Sequence, residues 1–431
     1  MAPVCSPSHA RRALIALVAI GLLGCASPQA SLATATRTSH RTTRKPRANL
    51  PRHPPALAPA AATAALSLDL LRTLGAGNLV FSPDSIATGL AMAGTGAEGR
   101  TAAQIAAALH LSSPAALVGV GALQRQLLAE QAGTPEGNTE APTLDIGNGL
   151  FLQEGFPVEA PFVEGLARDF GATPQTVNFK GPEAIHTINA WVSAHTQALI
   201  PELFSSLEAT TKLVLADAIY LKAAWRTPFT ERDTAPAPFY TPGQTATVPF
   251  MKETASLPYA HGGGWTAVEM PYGASTLSLL VVLPTGASLA SLEHRLDPSL
   301  LTTIAHEAHS TEVALSIPRI HLSLQTSLEG DLQDLGVKEA FTPQANFSRL
   351  SPVRPLDISA VEHAADLQID ESGTLAAAAT GISVVEPLLA NAHRYPVRFD
   401  ANRPFLFFLR DNRTGAVLFA GRLQNAATAQ G

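Results

Sequence analysis

The stretch NLVFSPDSIATGLAM (residues 78–92) passes from a short apolar run, through a proline, into a helical pattern. Residues 78–83 indicate a short buried strand that ends at Pro83, because proline has no N–H to give to a strand ladder. Residues 85–94 and 101–109 have apolar residues at helical spacing, and the glycine-rich turn GTGAEG (residues 94–99) separates them. The stretch therefore predicts a strand that leads directly into a pair of helices.

Outward from this stretch, helical and strand patterns are mixed without regular alternation, and no internal repeat is present. This pattern favours one α+β domain over a doubly wound parallel sheet. Further helices are predicted at 62–72, 158–170 and 182–200, and further strands at 144–152, 211–220, 266–270, 275–283, 311–317, 363–370, 396–398, 405–410 and 417–423.

Amino-acid composition indicates a folded core and argues against nucleic-acid binding and thiol chemistry. The 431 residues are 46% hydrophobic and 15% charged, which is enough apolar material for a sizeable core. The net charge of −6 gives no electrostatic reason to expect nucleic acid as a partner. The two cysteines, Cys5 and Cys25, both precede the predicted domain, so no disulfide or thiol chemistry is expected within it.

The N-terminus has the pattern of an export signal. Arg11 and Arg12 supply positive charge, and residues 13–23 form an apolar run that is too short for a comfortable transmembrane helix. The following LLGC (residues 22–25) resembles a bacterial lipoprotein box, in which Cys25 is lipidated after cleavage before it. We expect a lipoprotein-type signal peptide at 1–24 and an outer-membrane or extracellular protein. The alternative is an ordinary secretory signal with an incidental cysteine.

The next segment lacks apolar periodicity. Residues 25–61 are rich in Ala, Pro, Thr and Arg, which predicts a disordered tether. The folded domain is therefore expected at 62–431.

A second informative run is ESGTLAAAAT (residues 371–380), a glycine and a threonine followed mainly by small side chains. Small residues without proline or charge allow a loop to slide between two strands, because alternate side chains must fit a packed interior. The alternative interpretation is alanine-rich composition, as in the predicted helix at 101–109.

No catalytic or cofactor motif stands out. No phosphate loop, dinucleotide fingerprint or Gly-x-Ser-x-Gly elbow is present, and His306 and His309 lack the spacing of a zinc protease helix. We therefore predict no catalytic residues, no metal and no cofactor, and a protein that is not an enzyme.

Several motifs in the same order resemble the serpin family over residues 62–425. The resemblance implies a serpin fold with three β-sheets, about eight to nine helices and an exposed reactive-centre loop. The motifs are residues 78–92, GAEGRT (96–101), TINAWV (187–192), ADAIYLKAAW (216–225), MPY (270–272), ISAVEHA (358–364) and FDANRPFLFFL (399–409). Three positions depart from the family pattern: Asp217 replaces an asparagine, Ala223 a glycine and Leu375 an acidic residue.

The resemblance also implies functional positions. Trp225 would lie at the breach, the top of the central sheet where the loop first inserts. Polar residues would form a shutter beneath that sheet, and the run at 371–380 would be the hinge of the loop. The implied shutter is Ser82, Ser85, Asn189 and His363, and the implied hinge is Glu371, Gly373, Thr374, Ala376, Ala377, Ala378, Ala379 and Thr380.

The hinge composition favours an inhibitory serpin. A protease would attack the loop and form an acyl-enzyme, and the cut loop would insert as a new strand before deacylation. We place the reactive bond at Leu388–Leu389, with Leu389–Ala390 second, which suits a chymotrypsin-, elastase- or subtilisin-like serine protease. A cysteine protease is the second partner class, and a monomer is expected. The alternative is a non-inhibitory serpin that acts as an extracellular binding or structural protein.

Overall fold

The computed structural model describes residues 57–131, 141–273, 275–374 and 395–430. The signal peptide, Cys25, almost all of the tether, the hinge beyond Thr374 and the residues of the reactive bond lie outside these ranges. The described part contains nine α-helices: α1 Leu57–Thr73, α2 Pro83–Thr95, α3 Gly99–Ala108, α4 Val118–Gln131, α5 Ala160–Phe170, α6 Glu183–His195, α7 Leu289–Arg295, α8 Pro298–Glu307 and α9 Glu329–Asp334.

The same ranges contain fifteen strands in two hydrogen-bonded sheets. They are β1 Leu79–Phe81, β2 Thr143–Gln153, β3 Gln175–Val177, β4 Leu213–Ala224, β5 Ala235–Thr241, β6 Gln244–Gly262, β7 Trp265–Pro271, β8 Leu277–Pro284, β9 His309–Pro318, β10 Ile320–Ser327, β11 Ala360–Ile369, β12 Gly373–Thr374, β13 Val397–Asp400, β14 Phe405–Asp411 and β15 Val417–Leu423.

The central sheet has the order β10-β11-β12-β4-β2-β3, and the other has the order β1-β15-β14-β8-β7-β6-β9-β13, with β5 paired to β6. The resemblance implied three sheets. Hydrogen bonds join the strands of the described residues into two, because the 19-residue β6 pairs with β5 at its start, β9 through its middle and β7 at its end. The α+β class is confirmed.

The opening stretch folds as a strand and a central helix. β1 pairs antiparallel with β15, and α2 begins at Pro83, two residues earlier than its apolar pattern predicted. Proline suits this first position because the N–H that it lacks has no partner inside a helix. Ser82 ends the strand and caps the helix, since its side chain accepts the Ser85 N–H. Residues 83–94 are all buried, so α2 lies inside the domain.

The central sheet is packed on both faces. Leu213 and Leu215 of β4 belong to the same core as Leu90 of α2, whereas Val214 belongs to a second core with Ile188 of α6. Successive side chains of a strand point to opposite faces, so the alternation along β4 assigns one face to α2 and the other to α6. This layering decides which polar residues can meet beneath the sheet.

Several boundaries differ from the predicted ones. The helix predicted at 182–200 ends at His195, because Gln197 and Ala198 take positive φ angles of 50° and 64° that break the helix. The elements not predicted from periodicity are the helices α4, α7, α8 and α9 and the strands β3, β5, β6 and β10. Short or mostly exposed elements carry a weak apolar pattern.

Candidate functional site

The first residues of the predicted hinge already lie in the central sheet. Thr374 is paired with Ile369 of β11 on one side and with Ala223 of β4 on the other, and Gly373 is paired with Ala224. Further along, β11 and β4 pair directly and in parallel, residues 360–365 against 214–219. The two-residue strand β12 therefore lies between β4 and β11 at one end of the sheet. Beyond β12, these two strands are hydrogen-bonded directly to each other and leave no gap.

Gly373 is the one residue type that fits its position. Its φ angle of +153° lies in a region that side-chain-bearing residues rarely adopt. A Cβ built there would overlap the Ala223 carbonyl oxygen and would lie 2.8 Å from the Ala224 Cα. Because both obstacles are backbone atoms of β4, no side-chain movement can make room.

Thr374 is fully buried and is tied to the breach. Its hydroxyl lies 2.5 Å from the Tyr272 hydroxyl, and the Tyr272 ring stacks on Trp225 with 4.4 Å between ring centroids. Burial raises the pKa of Tyr272 far above its usual value, so the phenol stays neutral and can donate or accept this hydrogen bond. Through Tyr272, Trp225 lies next to the first residues of the predicted hinge.

A turn at Asp370 delivers the hinge to the sheet. The Asp370 carboxylate accepts the N–H groups of Ser372 and Gly373 at 2.8 and 3.2 Å, and the Trp225 indole N–H donates to the Asp370 carbonyl at 2.9 Å. The Trp225 backbone N–H donates to the Ser372 carbonyl, also at 2.9 Å. These bonds fix the backbone direction from β11 into β12.

Glu371 anchors the outer side of this turn. It is 5% exposed, and Arg319 of the adjoining β9–β10 corner approaches both carboxylate oxygens through Nε at 2.9 Å. The Thr234 hydroxyl donates a further hydrogen bond at 2.5 Å. Burial acts to raise the pKa of Glu371, but the hydrogen bonds from Arg319 and Thr234 outweigh it, and the pKa falls below its usual value.

The polar cluster beneath the sheet contains three of the four predicted shutter residues. His363 is fully buried, and its Nε2 accepts the Ser82 backbone N–H at 3.0 Å. The Ser82 side chain caps α2 through Ser85, whose hydroxyl lies 3.0 Å from the Asn148 amide. Burial lowers the pKa of His363 to about 3, so the imidazole is neutral at physiological pH.

Asn189 does not join this cluster, which corrects its predicted place in the shutter. It lies on α6, on the opposite face of the central sheet, and its carboxamide binds the loop after that helix. The oxygen accepts the N–H groups of Leu203 and Phe204 at 2.9 Å, and the nitrogen donates to the Phe204 carbonyl at 2.8 Å. Asn189 therefore holds the loop beneath α6 in place.

Two residues that were not predicted to belong to the shutter lie in the polar cluster instead of Asn189. Asn148 of β2 and Asp217 of β4 are register partners, and both lie beside α2. The alternation along β4 gave a usable signal, because residues 216 and 218 face α6 and Asp217 must then face α2. We define the shutter cluster as Ser82, Ser85, Asn148, Asp217 and His363.

The described residues provide neither a metal-ligand cluster nor a membrane-spanning helix. They contain no group of three or more His, Cys, Asp or Glu side chains placed to hold a metal ion. Among the helices of these same ranges, none combines the length and apolar character that a membrane span needs.

The chain is similar to known proteins of one family. The family model described as Serpin (serine protease inhibitor) matches residues 61–426. An uncharacterized serpin-like protein of Thermococcus kodakarensis is 33% identical, with 83% of this chain and 84% of the relative covered. The leukocyte elastase inhibitor of Bos taurus is also 33% identical, with coverage of 85% and 98%. The native-state crystal structure of the thermophilic serpin tengpin aligns with a TM-score of 0.74 at 25% identity, covering 85% of this chain and 94% of tengpin.

Proposed function

We propose that this chain, which belongs to the serpin family, inhibits serine endopeptidases as a suicide substrate. One of its relatives is the leukocyte elastase inhibitor of Bos taurus. In this proposal the protein is a trap and not an enzyme. A protease attacks the loop that follows Thr374, and the freed loop strand then fills the gap between β4 and β11. The protease is carried along before it can deacylate.

The observation that carries the proposal is the position of β12. Its two residues pair with β4 and β11 at once, and these two strands pair with each other in parallel beyond it. A strand that continued from Thr374 would run antiparallel to both neighbours, as β12 does, and would replace one set of interstrand hydrogen bonds by two. The alanine run that follows in the sequence suits such a strand.

The chemistry of trapping needs no catalytic group of this chain. The protease serine attacks a loop carbonyl, the peptide bond breaks, and an ester joins the protease to the new C-terminus of the loop. The driving force is the free energy released when the loop gains sheet hydrogen bonds and buries its side chains. The site's task is to keep the gap closed until cleavage and to guide the strand afterwards.

We propose that the target is a chymotrypsin-, elastase- or subtilisin-like protease, cleaving at Leu388–Leu389 or at Leu389–Ala390. An apolar side chain before the cut suits the pocket of these enzymes. We further propose that the protein is exported, lipid-anchored at Cys25 and monomeric. The sequence patterns of residues 1–25 support export and anchoring.

The proposed function is tested with the domain from residue 62 onward and four proteases: chymotrypsin, elastase, subtilisin and trypsin. We expect a complex with at least one of the first three that survives a denaturing gel, because an ester bond joins the partners. Mass spectrometry of the released C-terminal peptide identifies the reactive bond. Loop cleavage with full recovery of protease activity for all four enzymes would refute inhibition of these classes.

A further inference from the structure

The section of the central sheet beneath β12 contains an ionisable pair. We call this section the seam: residues 214–219 of β4 against residues 360–365 of β11. Within it, Asp217 stands opposite His363 in the parallel register. A strand inserted at the seam would move β4 and β11 from about 4.8 Å to about 9.6 Å apart. Under the proposed function, which this inference rests on, insertion therefore separates Asp217 from His363.

Both side chains point to the α2 face of the sheet. His363 accepts the N–H of Ser82 at the start of α2. A Cβ on Gly89 of α2 would overlap the Asp217 carboxylate, so the helix backbone lies directly against that group. The pair is thus enclosed by two strands and a buried helix.

The enclosure leaves polar atoms without partners. Within the described residues, Asp217 Oδ2 and His363 Nδ1 are buried and have no hydrogen-bond partner. With the Asn148 amide oriented so that its nitrogen faces Asp217, the other carboxylate oxygen, Asp217 Oδ1, receives one neutral donor at 3.1 Å, and the Asn148 oxygen accepts from Gln124 at 2.7 Å. A carboxylate with a single neutral donor is poorly stabilised in a dry interior, whereas the neutral acid tolerates it.

We propose that Asp217 is a positioning residue for loop insertion, and that its ionisation makes the seam easier to open. The neutral carboxyl is compatible with the closed seam. The ionised carboxylate gains water or new donors when β4 and β11 separate, so ionisation favours the opened arrangement. The seam consequently opens faster as pH rises.

The sign agrees with the titration. Burial raises the pKa of Asp217 well above its usual value. A group with a raised pKa stabilises the closed state fully below its ordinary pKa, and this stabilisation is lost as pH rises through the raised value. The family pattern has an uncharged asparagine at this position, and such a residue would give no pH dependence.

Two other buried titratable groups lie on the elements that enclose Asp217. His363 of β11 has a pKa lowered to about 3 in the closed state, and above about pH 7.5, one unit above its ordinary value, it is mostly neutral in the open state as well. Asp84 of α2 has a pKa raised to about 7 by burial and titrates at the lower edge of this range. Asn148, Gln124 and Ser85 carry no charge. Asp84 is therefore the group that a control must remove.

The test measures uptake of a synthetic strand by the sheet. An acetylated peptide with the sequence of residues 374–387 is mixed with the intact domain between about pH 7.5 and pH 9, where His363 is mostly neutral in both states. Uptake is followed by native gel mobility and by the rise in thermal unfolding midpoint. Wild type, Asp217→Asn and Asp84→Asn are compared, and each variant keeps the size of the side chain it replaces.

We expect uptake by wild type and by Asp84→Asn to accelerate as pH rises, by up to about tenfold per pH unit, because one linked proton changes a constant at most tenfold per unit. The Asp217→Asn profile should be flat. Equal profiles for wild type and Asp217→Asn, a flat wild-type profile, a rate that falls with pH, or no uptake at any pH would each overturn the inference.

The readout requires no protease, so it separates this inference from the proposed function. Peptide uptake with the expected pH profile, together with no protease complex, would support the role of Asp217 and refute the proposed inhibition. Protease trapping, together with equal profiles for wild type and Asp217→Asn, would support inhibition and refute the role of Asp217.

Discussion

Thr374 and Tyr272 are joined by a buried hydrogen bond, 2.5 Å between hydroxyl oxygens, that links the last described residue of the hinge to the top of the central sheet. Thr374→Val keeps the shape of the side chain and leaves the Tyr272 hydroxyl buried without this partner. We expect a loss of about 1–3 kcal/mol in the free energy of unfolding, measured in urea.

The control for this prediction is a double-mutant cycle with Tyr272→Phe. Replacing both hydroxyls leaves no buried polar atom without its partner, so the double variant should lose less than the sum of the two single losses. Strict additivity would show that the two hydroxyls do not interact.

The second prediction concerns Gly373. Gly373→Ala forces a Cβ against the β4 backbone at a φ angle of +153°, and we expect it to expel the hinge from the sheet at a cost of about 1–3 kcal/mol. The matched control is Gly263→Ala, where a Cβ meets nothing within 4 Å. Limited proteolysis after Thr374 should become faster in Gly373→Ala only, and equal rates would contradict the steric argument.

Much of this site follows from the sequence because its residues lie close together in motifs. The run at 371–374 stood out by its composition, and Ser82, Ser85 and His363 came from the family resemblance; the structure pairs Gly373 and Thr374 with β4, places Ser82 and Ser85 at the start of α2, and bonds His363 to Ser82. The helix–strand order and the α+β class follow from apolar periodicity in the same way.

The rest depends on contacts between distant segments. Asn189 carries an amide within a family motif, yet the face that α6 presents to the sheet is set by packing, and the amide binds residues 203 and 204 instead. Nothing in the sequence distinguishes Asn148 from other polar residues of an alternating strand. Its position next to Asp217 depends on the pairing of β2 with β4. The salt bridge between Arg319 and Glu371 spans 52 residues and leaves no local pattern.

The Glu371–Arg319 pair predicts a specific pH dependence. Because the folded-state pKa of Glu371 lies below the ordinary value of 4.5, its stabilisation is present above about pH 4.5 and is lost as pH falls through the lower value. Glu371→Gln should lower the thermal unfolding midpoint at pH 7 and reduce the difference from wild type below pH 4. A constant difference between the two proteins from pH 7 to pH 3 would argue against a charge-based role.

A charge at Thr374 tests whether insertion drives inhibition. Thr374→Arg places a guanidinium where the side chain is fully buried between β4 and β11, and desolvation of that charge opposes every step of strand insertion. The loop itself should still be cut, because its attack by the protease takes place outside the sheet. We therefore expect the variant to become a substrate that is cleaved and released, with protease activity recovered and the gel-stable complex reduced at least about tenfold.

The matched control is Thr374→Ser, which keeps the hydroxyl near Tyr272 and should trap protease as wild type does. Trapping by Thr374→Arg at the wild-type level would show that inhibition does not need residue 374 to be buried in the sheet.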